Sequence, residues 1–291
     1  MYICVCIKQT PDSASVYVDP ITGQVDAERF VQILNPADAC AIEAAVRLKE
    51  QFGGAVLALT LGPRDAEGAL RAALAIGADK ALRLWTREAE SWGPFTVAAA
   101  LAATLQREIP PPDLILCGDS TSDWSSGIVG PALAYHLDLP QVTGVICLDS
   151  IQNNRHITLR LTRRLERGYH ELLEAELPLL VTVTGTLNEP RYPSLPAHLA
   201  SLKASIPVLD PSTLMSNTWH DEVDQITLLE MHMPRPRPRR IAAPDSHHSA
   251  YQRIGEIISG GAIGRKTRIV EGTPEELAQT LVTFLHERGF V

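Results

Sequence analysis

The feature that most restricts this fold is an alternation in its first 150 residues. Short, mostly apolar runs (Tyr2–Ile7, Val56–Leu61, Ala81–Leu84, Leu114–Cys117) alternate with longer amphipathic stretches. A strand apolar along nearly its whole length is buried on both faces, and the amphipathic stretches supply helices to cover it. The expectation is an α/β fold: three layers around a mostly parallel sheet. Asn35-Pro36 opens the first helix, with Asn35 as cap, Pro36 in the first turn and Asp38 near the positive end. Ile42, Ala45 and Val46 form its inner stripe, while Glu43, Arg47, Lys49 and Glu50 face water. A second helix carries Ala66, Ala69, Leu70, Ala73 and Leu74, with Gly77 as a left-handed cap. A third runs from Pro94 through Gln106, and a fourth lies near Pro131–Leu137.

After residue 142 the pattern changes. Val142–Leu148, His156–Arg163 and Tyr169–Leu173 read as strands without long helices between them, a β-rich edge to the same sheet. Val16–Val25 reads as a hairpin, and Leu179–Val183 as a further buried strand. From Pro196 onward the chain reads as irregular, with an extended arm at Pro234–Arg240 and helices at His248–Ile258 and Pro274–Arg288. The expected organisation is a nucleotide-binding domain (1–185), a recognition loop (186–204) and a C-terminal arm (205–291).

Several function classes are excluded. A net charge of −8 argues against binding duplex nucleic acid, and no apolar run has membrane-spanning length. The N-terminus opens directly into a strand with no basic flank, so a cytoplasmic protein is expected. The five cysteines include no Cys-x-x-Cys pair and read as small buried hydrophobes. No metal-binding histidine spacing, nucleophile elbow or Gly-x-Gly-x-x-Gly is present. Gly260 with Arg265-Lys266-Thr267 only approximates a P-loop, because Arg265 stands where a glycine must bend. Binding or carrying, not bond-breaking by this chain alone, is the expected role.

In an open parallel sheet, ligands bind beyond the carboxyl ends of the strands. Cys6–Lys8, Asn35–Asp38, Leu61-Gly62-Pro63 and Gly118–Gly130 all converge there. The last segment, rich in serine and glycine and leading into a helix, suits either a bound phosphate or a polar helix cap. A second notable segment is Leu187–Pro196, with three prolines around Arg191, Tyr192 and Leu195. Such stiffness fits a connection between domains as well as a preformed docking loop.

Together these segments carry a family resemblance. Arg164-Leu165-Glu166, Glu171, Leu177-Pro178 and Leu187–Pro196 resemble the signature of the small (beta) subunit of electron transfer flavoproteins. So do Lys8-Gln9-Thr10-Pro11-Asp12, Asp19-Pro20-Ile21-Thr22-Gly23 and Asn35-Pro36-Ala37-Asp38. The N-terminal motifs are most similar to the bacterial branch that includes nitrogen-fixation-associated and electron-bifurcating members. The resemblance implies a Rossmann-like domain of the adenine nucleotide alpha hydrolase-like kind. It also implies pairing with a large (alpha) subunit that holds most of the electron-carrying FAD, and AMP or a second FAD in this chain. Cys6, Asn35, Pro36, Ala37, Asp38, Leu61 and the Gly118–Val129 loop would contact that nucleotide. Asn35 and Asp123 would reach the adenosine; Ser125, Ser126, Gly127 and the Val129 amide would surround phosphate. Ile128 departs from the glutamine of many relatives, and Lys203 alone remains of the basic cluster that often follows the docking loop. Leu195, flanked by Arg191, Tyr192 and Pro196, would anchor a partner dehydrogenase, with electrons passing on to a quinone- or ferredoxin-linked oxidoreductase. Two other nucleotide-binding classes fit the sequence less well. A universal-stress-type adenine-nucleotide module lacks its next glycine at Pro140, and an ATP-pyrophosphatase-like ligase lacks a Ser-Gly-Gly loop after the first strand.

Overall fold

The computed structural model describes residues 1–17, 19, 30–107, 111–153, 156–214, 247–258, 270 and 272–287. The chain divides into two compact units, Met1–Met231 and His232–Val291. In chain order the first unit contains β1 (Tyr2–Cys6), β2 (Gln9–Pro11), β3 (Gln32–Leu34), α1 (Pro36–Phe52), β4 (Ala55–Leu61), α2 (Glu67–Ile76) and β5 (Lys80–Leu84). There follow α3 (Pro94–Arg107), β6 (Leu114–Gly118), α4 (Val129–His136), β7 (Gln141–Asn153), β8 (His156–Arg164), β9 (His170–Glu176), β10 (Leu179–Val183), α5 (Leu195–Lys203) and β11 (Val208–Leu209). The second unit contributes α6 (Ala250–Ile258) and α7 (Pro274–Glu287).

One nine-stranded sheet runs β11-β5-β4-β1-β6-β10-β7-β8-β9. Every neighbouring pair from β11 to β7 is parallel, and the β7–β8 and β8–β9 pairs are antiparallel. The alternation of side chains along a strand sorts the core into two layers. Ile3, Val5, Val56, Ala58, Leu114 and Leu116 pack with α1 and α2 through Ala41, Ile42, Ala45, Leu70 and Ala73. Cys4, Cys6, Leu57, Leu59, Ile115 and Cys117 pack on the other face with Ala98, Leu101, Leu105 and Leu133 of α3 and α4. This is the expected three-layer α/β architecture. β8 and β9 form the expected β-rich edge, laced by the Arg160–Glu174 (2.8 Å) and Arg163–Glu171 (2.6 Å) pairs.

Several local expectations are corrected. Asn35 stands at the N-cap of α1, but its side chain makes no capping bond there. Its oxygen instead accepts from the Ser122 amide (3.2 Å) and its nitrogen donates to the Ser120 carbonyl (3.0 Å). Glu43 does not face water: it is 1% exposed, covered by the segment around Arg191. The stretch directly after Pro196 is not irregular, because α5 spans Leu195–Lys203. Proline is tolerated in a first turn, where its missing N–H has no partner to lose, and Ser194 caps the helix by accepting from Ala197 N (3.3 Å). Arg71 closes the other end, donating to the carbonyls of Ser201 (2.6 Å), Leu202 (3.0 Å) and Ala204 (3.2 Å). Cys147 is exposed on β7, unlike the other four cysteines. The β2–β3 ribbon was unforeseen. Most of the expected hairpin at Val16–Val25, and all of Pro234–Arg240 and residues 260–267, lie outside the described residues.

Gly77 does end α2 with a positive φ of 140°, its N–H bonded to Ala73 O at 3.1 Å. Among the described residues no helix is long and apolar enough to cross a membrane.

Leu116 lies on the central strand β6 with no exposed surface. Leu116→Ala should lower stability by about 3 kcal/mol, the usual cost of an unrelaxed leucine cavity. The urea midpoint should fall with an unchanged slope.

Candidate functional site

The connections after β1 and β4 bring α1 and α2 onto one face, and those after β5 and β6 bring α3 and α4 onto the other. A crevice opens at the carboxyl end of the sheet where those directions part. There the structure has a cavity of about 340 Å³. Cys6, Leu59, Leu61, Leu101, Cys117 and Leu133 give it an apolar body. Lys8, Asp38, Ser120, Thr121 and Ser126 add polar groups, and Trp92 and Trp124 also line it.

Asp38 organises this crevice. It is 3% exposed, and one oxygen accepts from Lys8 N (2.8 Å) and the other from Gly118 N (2.8 Å). The carboxyl thus joins the exits of β1 and β6. Gly118 permits the approach: a Cβ there would run into Asp38 Oδ1 and the Ala37 methyl. Burial outweighs the two amides and pushes Asp38 up to about 7.

The loop after β6 is tied down at several points. Asn35 bridges it to α1, Ser122 Oγ bonds Thr10 Oγ1 at 2.9 Å, and Lys8 Nζ meets Asp123 Oδ2 at 2.5 Å. Burial works against a charged Asp123, but Lys8 more than offsets it and holds the carboxyl below its ordinary range. Ser125 and Gly127 take positive φ values of 51° and 63°, turning the chain sharply before α4. No side chain caps α4, so its first-turn amides are open to an anion. Gly130 lets that turn sit close to the sheet, since a Cβ would lie 2.8 Å from Thr182 Cγ2 and 2.9 Å from Cys117 Sγ.

Of the residues expected to form a nucleotide site, Cys6, Asp38, Leu61, Gly118, Ser126, Gly127, Ile128 and Val129 line the cavity. Asn35, Pro36, Ala37, Asp123 and Ser125 do not; Asn35 and Asp123 instead brace the loop. The cavity wall at Trp92-Gly93-Pro94 was not foreseen. The helix start at Pro94 was visible, but its position beside β6 depends on the strand order. Cys6 and Cys117 are pushed well above the ordinary thiol range, Cys6 by its hydrogen bond with Cys4 and by burial, Cys117 chiefly by burial. Both are held as neutral thiols, so neither is a nucleophile. No cluster able to hold a metal ion is found among the described residues.

The proline-rich segment is fastened to α1. Asn188 Nδ2 donates to Cys40 O (3.0 Å), and Cys40 Sγ to Asn188 O (3.3 Å). Arg191 donates from its amide (3.2 Å) and Nε (2.8 Å) to Glu43 Oε2, and from Nη1 to Glu50 Oε1 (2.5 Å). Burial disfavours a charged Glu43, but Arg191 and Arg47 outweigh it and hold the carboxyl below its usual range. Arg191, expected at a partner surface, also clamps the segment to α1, with its side chain still 36% exposed. Tyr192 (99% exposed) and Leu195 (70%) project beyond it, with Leu199 and Leu202 of α5 also exposed.

The Asp38 geometry sets a pH dependence. Its pKa is raised on folding, so the folded state keeps a proton that the unfolded chain has lost. Stability from this group is fully present below the ordinary carboxylate range and is lost as pH rises through about 7. Between about pH 4 and about pH 8, wild type should lose as much as ~4 kcal/mol more than Asp38→Asn, read from urea midpoints across that range.

Comparison with known proteins bears on the same segments. The electron transfer flavoprotein domain model matches residues 22–214. An electron transfer flavoprotein subunit beta from Thermoanaerobacterium thermosaccharolyticum is 35% identical over 93% of this chain and 97% of its own. Protein FixA of Azotobacter vinelandii is 34% identical over 88% of this chain and 92% of its own. CarD, a subunit of the caffeyl-CoA reductase-Etf complex of Acetobacterium woodii, is 39% identical over 67% of this chain and 72% of its own. A domain match over most of the sheet, and full-length similarity that takes in α1 and the clamped segment, place the chain in the beta-subunit family of electron transfer flavoproteins, in the branch that includes the FixA proteins.

Proposed function

We propose that this chain is the small subunit of a heterodimeric electron transfer flavoprotein. In this reading it holds an adenine nucleotide, FAD or AMP, in the crevice and presents Tyr192 and Leu195 to a dehydrogenase. The observation that carries the proposal is the crevice: an apolar body, open helix amides and a braced serine–glycine loop at the carboxyl ends of β1, β4 and β6. Those groups suit an adenylate. Cys6, Leu61 and Leu133 offer surface to a flat base, and Ser126, Gly127 and the first-turn amides of α4 offer donors to phosphate.

The division of labour follows from the chemistry. A bound flavin supplies the electron transfer itself. The residues of this chain bind and orient the nucleotide and keep water from its base. Asp38 fixes the spacing of the strand exits on which that depends. The clamp of Arg191 on Glu43 and Glu50 limits the entropy lost when a partner engages the segment beyond it. The C-terminal unit fits an arm around a large subunit, since Ile254 and Ile257 of α6 and Leu281 and Val282 of α7 are exposed apolar side chains. The similarity to CarD, named as part of a reductase–Etf complex, supports work inside such an assembly, with an electron-accepting oxidoreductase downstream. A universal-stress-type module is not favoured, as it gives no role to the clamped segment.

Coexpression with a large subunit, followed by denaturation, should release an adenine nucleotide from the small-subunit crevice in addition to the main FAD. A complex that releases none would refute the crevice assignment. Leu195→Ala should slow reduction by the partner dehydrogenase at least about tenfold, the usual loss at an interface anchor, while the flavin spectrum stays the same. Unchanged reduction would remove the docking assignment.

A further inference from the structure

Helix α5 turns its large apolar side chains outward. Leu195, Leu199 and Leu202 stand at i, i+4 and i+7 and so share one face, yet they are 70%, 49% and 53% exposed. The opposite face carries only small residues: Ser201 is buried, and Ala197 and Ala204 are half-buried. Burying such small side chains contributes little. A helix of nine residues is also shorter than an isolated helix needs to be in water. What holds α5 must therefore lie at its ends. Ser194 caps the amino end, but the carboxyl end has no glycine; its cap, Ala204, has extended backbone with φ −63° and ψ 136°. The last carbonyls are met instead from α2. Arg71 brings Nη1 to 2.6 Å from Ser201 O, 3.0 Å from Leu202 O and 3.2 Å from Ala204 O. Glu67, one turn back on α2, steadies the guanidinium at 3.4 Å. A fixed cation there also complements the negative pole of the helix dipole.

We propose that Arg71 is a positioning residue for partner recognition: by closing the carboxyl end of α5 it keeps Leu199 and Leu202 in helical register behind Leu195, so that a dehydrogenase seats one rigid ridge of three leucines in an apolar groove. This rests on Leu195 being the dehydrogenase anchor proposed above. Arg191 fixes the segment before Ser194, and Arg71 fixes the far end of the helix that follows. Without Arg71 the last turn loses the donor shared by three carbonyls and frays. Leu202, and Leu199 with it, must then be ordered at the moment of docking, which weakens the encounter. The groove is apolar because α5 contains no aspartate or glutamate, and Lys203 at its end is its one lysine or arginine.

The test uses the complex with its large subunit and, as electron donor, the dehydrogenase purified from the source cells on its ability to reduce the wild-type complex. Reduction is followed over a range of complex concentrations. Arg71→Ala should raise KM for the complex about fivefold or more, the scale of losing one interface contact, with kcat within about twofold and the flavin spectrum unchanged. Arg71→Lys, which keeps a cation and donors at the helix end, should recover most of the loss. Leu202→Ala should raise KM to a similar degree, and the double variant with Arg71→Ala should be no worse than the larger single loss by more than about twofold, because both act through one turn. An unchanged KM for Arg71→Ala, a fall in kcat alone, or losses that multiply in the double variant would overturn the proposal. If Arg71→Ala does not assemble with the large subunit, the exposed Leu199→Ala and Leu202→Ala variants decide: a normal KM in both overturns it. A normal KM for Leu195→Ala would instead defeat the docking assignment itself. That outcome is distinct from a failure at Arg71, in which Leu195→Ala raises KM and Arg71→Ala does not.

Discussion

Two backbone amides share one buried carboxylate, and the crevice is arranged around that contact. Asp38 takes the Lys8 amide on one oxygen and the Gly118 amide on the other. Parallel strands separate beyond their last ladder bond, and here the separation of β1 from β6 is fixed by a side chain. The cost is a carboxyl moved out of water, which shows as a pKa near neutrality. The return is a floor of defined width beneath the loop that Asn35 and Lys8 brace from the same side.

Helix α1 extends the influence of that contact. Its first turn carries Asp38, and further along it carry Cys40, Glu43 and Glu50, which hold the proline-rich segment. One rigid element thus positions both the crevice and the exposed Tyr192 and Leu195. A buried carboxylate such as Glu43 is tolerated because Arg191 and Arg47 satisfy it from two sides. Removing one partner of such a group is far more damaging than its net contribution suggests.

The sequence was most legible where one physical rule decides the outcome. β1, β4, β6 and β10 are apolar along nearly their whole length because both faces are covered, and they stand where the polarity pattern placed them. Rules that depend on tertiary contact were harder to read. Glu43 lies on the charged side of α1 by periodicity, and only the returning segment at 188–191 covers it. Of the three prolines only Pro196 enters the helix that begins at Leu195, and it occupies the first turn, the one place where it does no harm. β2 and β3 are three residues each, too short for a repeat to show. At the crevice, the residues next to strand ends were legible, whereas Trp92 became part of the wall only through the order of the strands.

The Arg191 clamp has a consequence for proteolysis. The bond between Arg191 and Tyr192 lies on one of the most exposed stretches of the chain, and its sequence is one that a trypsin-like protease would cut. Such an enzyme must first swallow the guanidinium into its own acidic pocket, but Glu43 and Glu50 already occupy that group. The finger can therefore stand fully in solvent and still withhold the one handle by which it would be cleaved.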